Sequence, residues 1–254
     1  MWCLWHFVRT AASSSDRRPP VAEPRPSSDM RTHEYAWLRA ARGSHRGASV
    51  HDAILEPMVD PELQRERLRP LMRREYDALV DQGFLVDERI ELLRGMLVEM
   101  SPQGPAHAGI SEVLAQFFSS VLPRDQYRVR AHSPYAATDD SEPEPDVLVA
   151  RGTAAELTHP TTALLLVEVS LESLRKDRTV KLGIYAEAGV PEYWIIDVEA
   201  QTVEVYTQPV GLAYQSVQTF DRNATLRPIA LPSVEVSLTE LPWDAPKQST
   251  KRRR

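Results

Sequence analysis

The chain has 254 residues and a formal net charge of −6, which allows one large or two small domains. Residues 1–69 hold 11 Lys and Arg against 9 Asp and Glu, and the last eight residues hold five basic residues and no acid, so residues 70–246 carry a net charge of −13. This acidic segment argues against a protein that binds nucleic acid through a broad basic surface, but not against a nuclease with local phosphate contacts.

Cysteine content and hydropathy exclude several further classes. Cys3 is the only cysteine, so an internal disulfide and a cysteine-based zinc site are excluded. The apolar stretch 1–8 is short and has no basic residue before it, which is atypical of a signal peptide, and no other stretch reaches membrane-spanning length. We therefore expect a cytoplasmic protein without a membrane partner.

Three regions are predicted along the chain. Residues 1–69 show no sustained hydrophobic period, and we expect either a disordered extension or translation that begins later, at Met58 or Met72. Residues 70–243 form the predicted folded domain, and residues 244–254 form a basic, flexible tail.

The first predicted elements of the domain are a short helix and a hairpin. Residues 73–80 have a helical pattern, and two apolar segments, 89–93 and 96–100, flank a tight Arg-Gly turn. Side chains alternate along a strand, so Glu91 faces the side opposite to its apolar neighbours.

A longer helix and two strands follow. Over 107–122 apolar residues recur at three- and four-residue spacing, which predicts an amphipathic helix; they are Ile110, Val113, Leu114, Phe117, Phe118 and Val121. Residues 127–132 resemble a strand, and the apolar run 144–149, which contains Asp146, predicts another.

The next segment predicts a parallel crossover. Residues 162–170 are nearly all apolar, as in a central strand that is buried on both faces. We expect a helix over 178–188 with Asp177 as its N-cap, then a buried strand over 192–198. Strand, helix and strand within about 30 residues form a parallel unit.

The last strands, 202–206 and 213–219, predict a closing hairpin. The sum is an α/β fold in which one mixed sheet carries a helix on each side.

Two acids in apolar strands point to chemistry. Asp146 and Glu168 lie in runs of Leu and Val, where an ionised carboxylate is costly unless it is paired or bound to a cation. If the two strands are neighbours, both carboxylates can bind a hard cation, for which Mg²⁺ fits and Mn²⁺ is an alternative. Such a metal polarises a phosphodiester and activates a water.

Two further residues are candidates for the same site. Lys181, in the helix after the Glu168 strand, can stabilise negative charge or orient the water, although an exposed helix lysine is the ordinary alternative. Glu91 can add a ligand or hold a metal-bound water, or it is a solvent-facing acid of the hairpin. His107, at the start of the long helix, either points to the pocket or is exposed in the first turn.

The order of these motifs over residues 70–243 resembles the Uma-two family of restriction-endonuclease-like proteins, within the PD-(D/E)XK nuclease superfamily. The motifs are Ile90-Glu91-Leu92, Gly95, His107, Glu144-Pro145-Asp146, Val167-Glu168-Val169-Ser170, Asp177, Lys181, Tyr185 and Gly189-Val190-Pro191-Glu192-Tyr193-Trp194.

The resemblance implies an αβββαβ core, and an active site of Glu91, Asp146, Glu168 and Lys181 with Mg²⁺. One departure is visible, because Ser170 stands where the superfamily pattern Glu-x-Lys has its lysine. The resemblance implies that Lys181 replaces it from the helix.

The leading hypothesis is therefore a metal-dependent endonuclease that hydrolyses DNA, as a homodimer if both strands are cut. A nuclease fold that binds nucleic acid or assembles without catalysis is the alternative, and hydrolysis of RNA is a third possibility.

Overall fold

The computed structural model describes residues 66–153 and 155–244. Of the predicted N-terminal extension it therefore describes only 66–69, and of the basic tail only Asp244; Cys3 and Met58 lie outside the described residues. Within the described part of the chain, no helix is both long enough and apolar enough to cross a membrane.

The helices and strands follow one another in an order close to the prediction. They are α1 (Arg73–Asp81), β1 (Ile90–Leu93), β2 (Met96–Glu99), α2 (Pro105–Val121), β3 (Tyr127–Ala131), β4 (Val147–Arg151), β5 (Leu165–Ser170), α3, β6 (Glu192–Asp197), β7 (Thr202–Val210), β8 (Ala213–Asp221), β9 (Thr225–Leu226) and β10 (Val236–Ser237). Helix α3 begins with a turn at Leu174–Lys176, continues as a π-helical segment at Asp177–Lys181 and ends as an α-helix at Leu182–Glu187.

A mixed sheet of six strands forms the centre of the fold. The strand order is β3-β4-β5-β6-β7-β8; β5 and β6 are parallel and every other pair is antiparallel. The parallel pair is joined through α3, as predicted. The succession α2-β3-β4-β5-α3-β6 is the predicted αβββαβ order, so the mixed α/β fold class is confirmed.

The sheet carries a helix on each face. Ile110, Leu114 and Phe118 of α2 pack against one face, which includes Val167 and Trp194. Ile184 and Tyr185 of α3 pack against the other face; the strand residues there include Leu166 and Tyr193. Strands β5 and β6 are buried along their whole length, which explains their continuous apolar sequences.

One buried acid anchors the start of β6. Glu192 accepts hydrogen bonds from the indole of Trp194 (2.7 Å) and from the backbone N–H of Ile229 (2.5 Å). Burial raises the pKa of Glu192 above its ordinary value, although both hydrogen bonds act in the opposite direction.

The β1–β2 hairpin forms a separate two-stranded sheet. Its turn needs Gly95, which has φ +74° and lies so close to Pro70 that a Cβ atom would meet the proline Cβ at 2.2 Å. The backbone N–H of Glu142 donates to the carbonyl of Leu92 (2.7 Å), and the backbone N–H of Glu144 donates to the Glu91 carboxylate (3.2 Å). These bonds hold Glu91 against the segment that leads into β4.

Helix α3 differs from the prediction at its start. It begins four residues earlier than expected, at Leu174, so Asp177 is not an N-cap. Asp177 is buried within the helix, and one of its carboxylate oxygens accepts hydrogen bonds from the hydroxyls of Ser170 and Ser173, both at 2.6 Å. At the other end Gly189 has φ +71°, the left-handed conformation common just after a helix.

Candidate functional site

Asp146 and Glu168 lie on the same face of the sheet. Leu148 in β4 and Leu166 in β5 point to the α3 face, and alternation puts Asp146 and Glu168 on that face too. The strands are antiparallel neighbours with Val147 opposite Val167, so the two acids occupy the next register position. The backbone N–H of Val169 donates to Asp146 Oδ2 at 2.7 Å, which joins the two strands at this point.

Two histidines contact the other oxygen of Asp146. His107 Nε2 lies 2.8 Å and His132 Nδ1 lies 3.2 Å from Oδ1. His107 is in the first turns of α2, and His132 directly follows β3. Burial raises the pKa of Asp146, but the hydrogen bonds from both imidazoles outweigh burial and hold the pKa well below its ordinary value.

Glu168 is bound through one carboxylate oxygen to two groups of α3. The Tyr185 hydroxyl donates to Oε1 at 2.6 Å, and Lys181 Nζ lies 3.0 Å from the same oxygen. Burial raises the pKa of Glu168 well above its ordinary value; the charge of Lys181 opposes this effect, and the charges of Asp177 and Asp146 add to it. Burial alone would lower the pKa of Lys181, but the charges of Glu168 and Glu91 hold it above its ordinary value, so the amine is an ammonium.

Glu91 is fully buried and pairs with two lysines of α3. Its Oε1 lies 2.6 Å from Lys176 Nζ, and its Oε2 lies 2.9 Å from Lys181 Nζ. The lysine charges outweigh the effect of burial and lower the pKa of Glu91. Glu91 therefore forms ion pairs with both lysines in this structure. These ion pairs join strand β1 of the hairpin to helix α3.

The π-helical segment allows both lysines to reach one carboxylate. In an α-helix with 3.6 residues per turn, side chains five positions apart point about 140° away from each other. The wider turn of a π-helix has i→i+5 hydrogen bonds, so residues five apart become neighbours on one face. The segment Asp177–Lys181 follows Lys176 directly, so both ammonium groups can contact the carboxylate of Glu91.

These side chains line one cleft of about 230 Å³, which has room for several waters or a phosphate group. The described residues that line it include three basic side chains, Arg89, Lys176 and Lys181, and six acids: Glu91, Glu144, Asp146, Glu168, Glu172 and Asp177. The acidic side chains outnumber the basic ones, and carboxylate oxygens are ligands suited to a divalent metal ion. The residues present therefore fit the predicted cation.

All four predicted site residues line this cleft: Glu91, Asp146, Glu168 and Lys181. Two residues that were not among the predicted site residues also belong to it, Lys176 and His132. His132 faces Asp146 through the pairing of β3 with β4, in which Ala131 lies opposite Val147, and the sequence does not fix that register. The role of Lys176 depends on the π-helical turn, for which the sequence carries no recognised signal.

The family comparison agrees with the motif order. Residues 74–239, more than half of the chain, match the family model described as "Uma2: Putative restriction endonuclease". The chain belongs to the Uma2 family. The predicted family membership is thereby confirmed, and all of the cleft residues named above lie within the matched range.

A solved structure has a similar fold to this Uma2 chain. It is a crystal structure of a protein from Anabaena variabilis, described as "a putative nuclease belonging to DUF820". The two chains are 20% identical with a TM-score of 0.53, and the similarity covers 68% of this chain and 97% of the other. At that identity the likeness supports the fold alone. A comparison with curated proteins gave no match.

Proposed function

We propose that this protein is a Mg²⁺-dependent endonuclease that hydrolyses phosphodiester bonds of DNA. The observation that carries the proposal is the cleft in which Asp146 and Glu168, from adjacent strands, face the ammonium group of Lys181. Membership of the Uma2 family, whose description is "Putative restriction endonuclease", supports a nuclease rather than another hydrolase. The same proposal assigns the chain the PD-(D/E)XK active-site pattern, with Ser170 at the position where that pattern has its lysine.

Asp146 and Glu168 would hold the metal ion, with Mn²⁺ as a possible replacement for Mg²⁺. The chemistry that such an ion supplies when bound is polarisation of the scissile phosphodiester and a lowered pKa of its coordinated water. The Val169 N–H and the Tyr185 hydroxyl fix one oxygen of each carboxylate, so both ligands are held in place before an ion arrives.

Lys181 would act on the reacting groups directly. An ammonium group has three N–H donors, and among the described residues two carboxylates, Glu91 and Glu168, take two of them. The third donor can orient the attacking water or contact a phosphate oxygen as negative charge grows there. Glu91 supports the site by holding Lys181, and it also holds Lys176, whose partly exposed ammonium can attract the phosphate.

The substrate is proposed to be duplex DNA, cut by a homodimer. Cleavage of both strands of a duplex commonly uses two sites related by twofold symmetry. Light scattering of the purified chain with and without a DNA duplex measures the stoichiometry, and rates on duplex DNA, single strands and RNA identify the substrate class.

Nicking of supercoiled plasmid in the presence of Mg²⁺ tests the proposal. Wild type should nick the plasmid, and EDTA should stop the reaction. Asp146→Asn and Glu168→Gln keep the side-chain size but remove a charged ligand, so we expect a loss of at least about 100-fold in rate, the scale known for single electrostatic groups in active sites. Glu235→Gln, an exposed acid outside the cleft, is the matched control and should cut at the wild-type rate. Equal cleavage by wild type and Asp146→Asn would refute the site.

A nuclease fold that binds nucleic acid or assembles without catalysis is the second candidate. Ser170 favours it, because its hydroxyl donates to Asp177 and supplies no cation. Calorimetry separates the two candidates. If neither Mg²⁺ nor Mn²⁺ binds at millimolar concentration while DNA still binds, the non-catalytic function is correct.

A further inference from the structure

His107 and His132 converge with Asp146 on one point at the wall of the cleft. The distances from Asp146 Oδ1 to His107 Nε2 and His132 Nδ1 are 2.8 Å and 3.2 Å, and the three ligand atoms lie within 4.8 Å of one another. The residues come from three separate elements, α2, the end of β3 and the segment before β4. Tertiary structure, and not a local turn, brings them together.

The two distances from Asp146 Oδ1 to the imidazole nitrogens match the edge of a metal coordination sphere. Small divalent ions bind nitrogen and oxygen ligands at about 2.1 Å, so adjacent ligands of an octahedral ion lie about 3.0 Å apart. The two observed distances to Oδ1 fall on either side of this value. An ion could therefore be bound with small shifts of the two rings.

The donor set differs from the one that Mg²⁺ prefers. Mg²⁺ takes oxygen ligands and water, whereas imidazole nitrogen is a good ligand for Co²⁺, Ni²⁺ and Zn²⁺, which bind more tightly than Mn²⁺ at most nitrogen sites. We propose that His107, His132 and Asp146 form a transition-metal site with two imidazoles and one carboxylate, and that this site selects ions of the Co²⁺ and Zn²⁺ class over Mg²⁺. The inference rests on the proposed metal-dependent function. It concerns relative affinity: Mg²⁺ can still support catalysis through Asp146 and Glu168, whereas the two imidazoles make ions of the Co²⁺ class bind more tightly at Asp146.

A simpler role for the two rings is to hold Asp146 by hydrogen bonds. His132 Nδ1 also lies 3.0 Å from the Gln103 amide, as in an ordinary polar network. The two roles differ in one measurable respect. If the imidazoles only donate hydrogen bonds, they position the Asp146 carboxylate in the same way for every ion, and the ratio of affinities for two ions does not depend on them. If they are ligands, removing one changes the affinity for Co²⁺ relative to that for Mg²⁺.

Binding of Co²⁺ and Mg²⁺ to the full chain, measured by calorimetry and by Co²⁺ visible absorption, tests the inference. The variants are His107→Gln, His132→Gln and Asp146→Asn, each with its fold checked by circular dichroism in EDTA. Because the two histidines lie on different elements, either variant alone decides the result. His159→Gln is the matched control, since His159 contacts Glu142 and not Asp146. His6, His33, His45 and His51 are present in every variant, so any Co²⁺ they bind is a constant background.

We expect wild type to bind Co²⁺ at least about 100-fold more tightly than Mg²⁺, following the preference of imidazole sites. Each histidine variant should lose at least about 10-fold in Co²⁺ affinity and change the Co²⁺ absorption bands, with Mg²⁺ affinity within about threefold of wild type. Asp146→Asn should lower the affinity for both Co²⁺ and Mg²⁺.

Two results would overturn the inference, and they have different meanings. If the ratio of Co²⁺ to Mg²⁺ affinity in either folded histidine variant is the same as in wild type, the proposed site with two imidazole ligands is wrong, while loss of Mg²⁺ binding in Asp146→Asn leaves the proposed nuclease intact. If wild type binds neither ion, the inference and the proposed metal-dependent function fail together.

Discussion

Lys181 should be among the most costly single residues to remove from the cleft. Its ammonium lies 2.9 Å from Glu91 and 3.0 Å from Glu168, and its side chain is 4% exposed. At an effective dielectric constant of about 20, the contact with Glu91, whose pKa is lowered, has a Coulomb energy of about 6 kcal/mol before the cost of desolvation. The contact with Glu168 has a similar energy when Glu168 is ionised. Lys181→Met keeps the length of the side chain but leaves two buried carboxylates without this cation.

The net effect on stability is smaller than the Coulomb energies. Removal of one partner from a buried ion pair lowers the free energy of unfolding by about 3–5 kcal/mol. For a chain of this size each kcal/mol corresponds to about 2–4 °C in Tm, so we expect Lys181→Met to lower Tm by about 6–20 °C. Urea and thermal unfolding of the full chain in EDTA measure both quantities without a contribution from bound metal.

A double-mutant cycle tests whether the contact itself is responsible. Glu91→Gln and Glu91→Gln/Lys181→Met complete the cycle, and we expect the double variant to be more stable than additivity predicts by at least about 1 kcal/mol. Arg227→Met provides the control, because the Arg227–Glu235 pair is 58% exposed on both sides and such pairs contribute about 0–1 kcal/mol. A loss below about 1 kcal/mol for Lys181→Met, or strictly additive effects, would refute the assigned ion-pair cluster.

Three further predictions follow from the packing. The raised pKa of Glu192 means that the folded state holds its proton more tightly than the unfolded state does. This residue's contribution to stability is therefore greatest below its unfolded pKa and is lost as pH rises through the folded pKa. Unfolding in urea should show a higher free energy of unfolding at pH 5 than at pH 7 from this cause in wild type, and a smaller difference in Glu192→Gln. Gly95→Ala should lower the free energy of unfolding by clearly more than Gly189→Ala does. Gly189 has a similar φ but open space around it, so only the backbone strain of about 1–2 kcal/mol is expected there. Equal losses would contradict the close contact at the hairpin. Tyr185→Phe should cost about 1–3 kcal/mol because Glu168 loses a buried hydrogen bond, and an unchanged Tm would contradict that bond.

Much of the fold could be predicted from hydrophobic pattern. The continuous apolar runs around Glu168 and Trp194 indicated buried central strands, and the spacing along 107–122 indicated a helix, because burial on one face or two leaves a periodic trace in the sequence. Asp146 and Glu168 could be selected for the same reason, since an acid in such a run requires a partner. The start of α3 was placed wrongly, because Asp177 resembles a helix cap in sequence and its burial depends on Ser170 and Ser173.

The sequence by itself therefore determined the class of fold, the order of its elements and the two acids whose burial calls for a cation. Tertiary structure alone decided which groups surround those acids. The pairing of β3 with β4 brought His132 opposite Asp146. Glu91 is buried because its hairpin, a separate sheet, packs next to helix α3, and the π-helical turn lets Lys176 and Lys181 contact the same carboxylate. The physical reason is that hydrophobic periodicity is a local property of the chain, whereas the charge balance of a buried cleft depends on residues that are distant in sequence and adjacent only after folding.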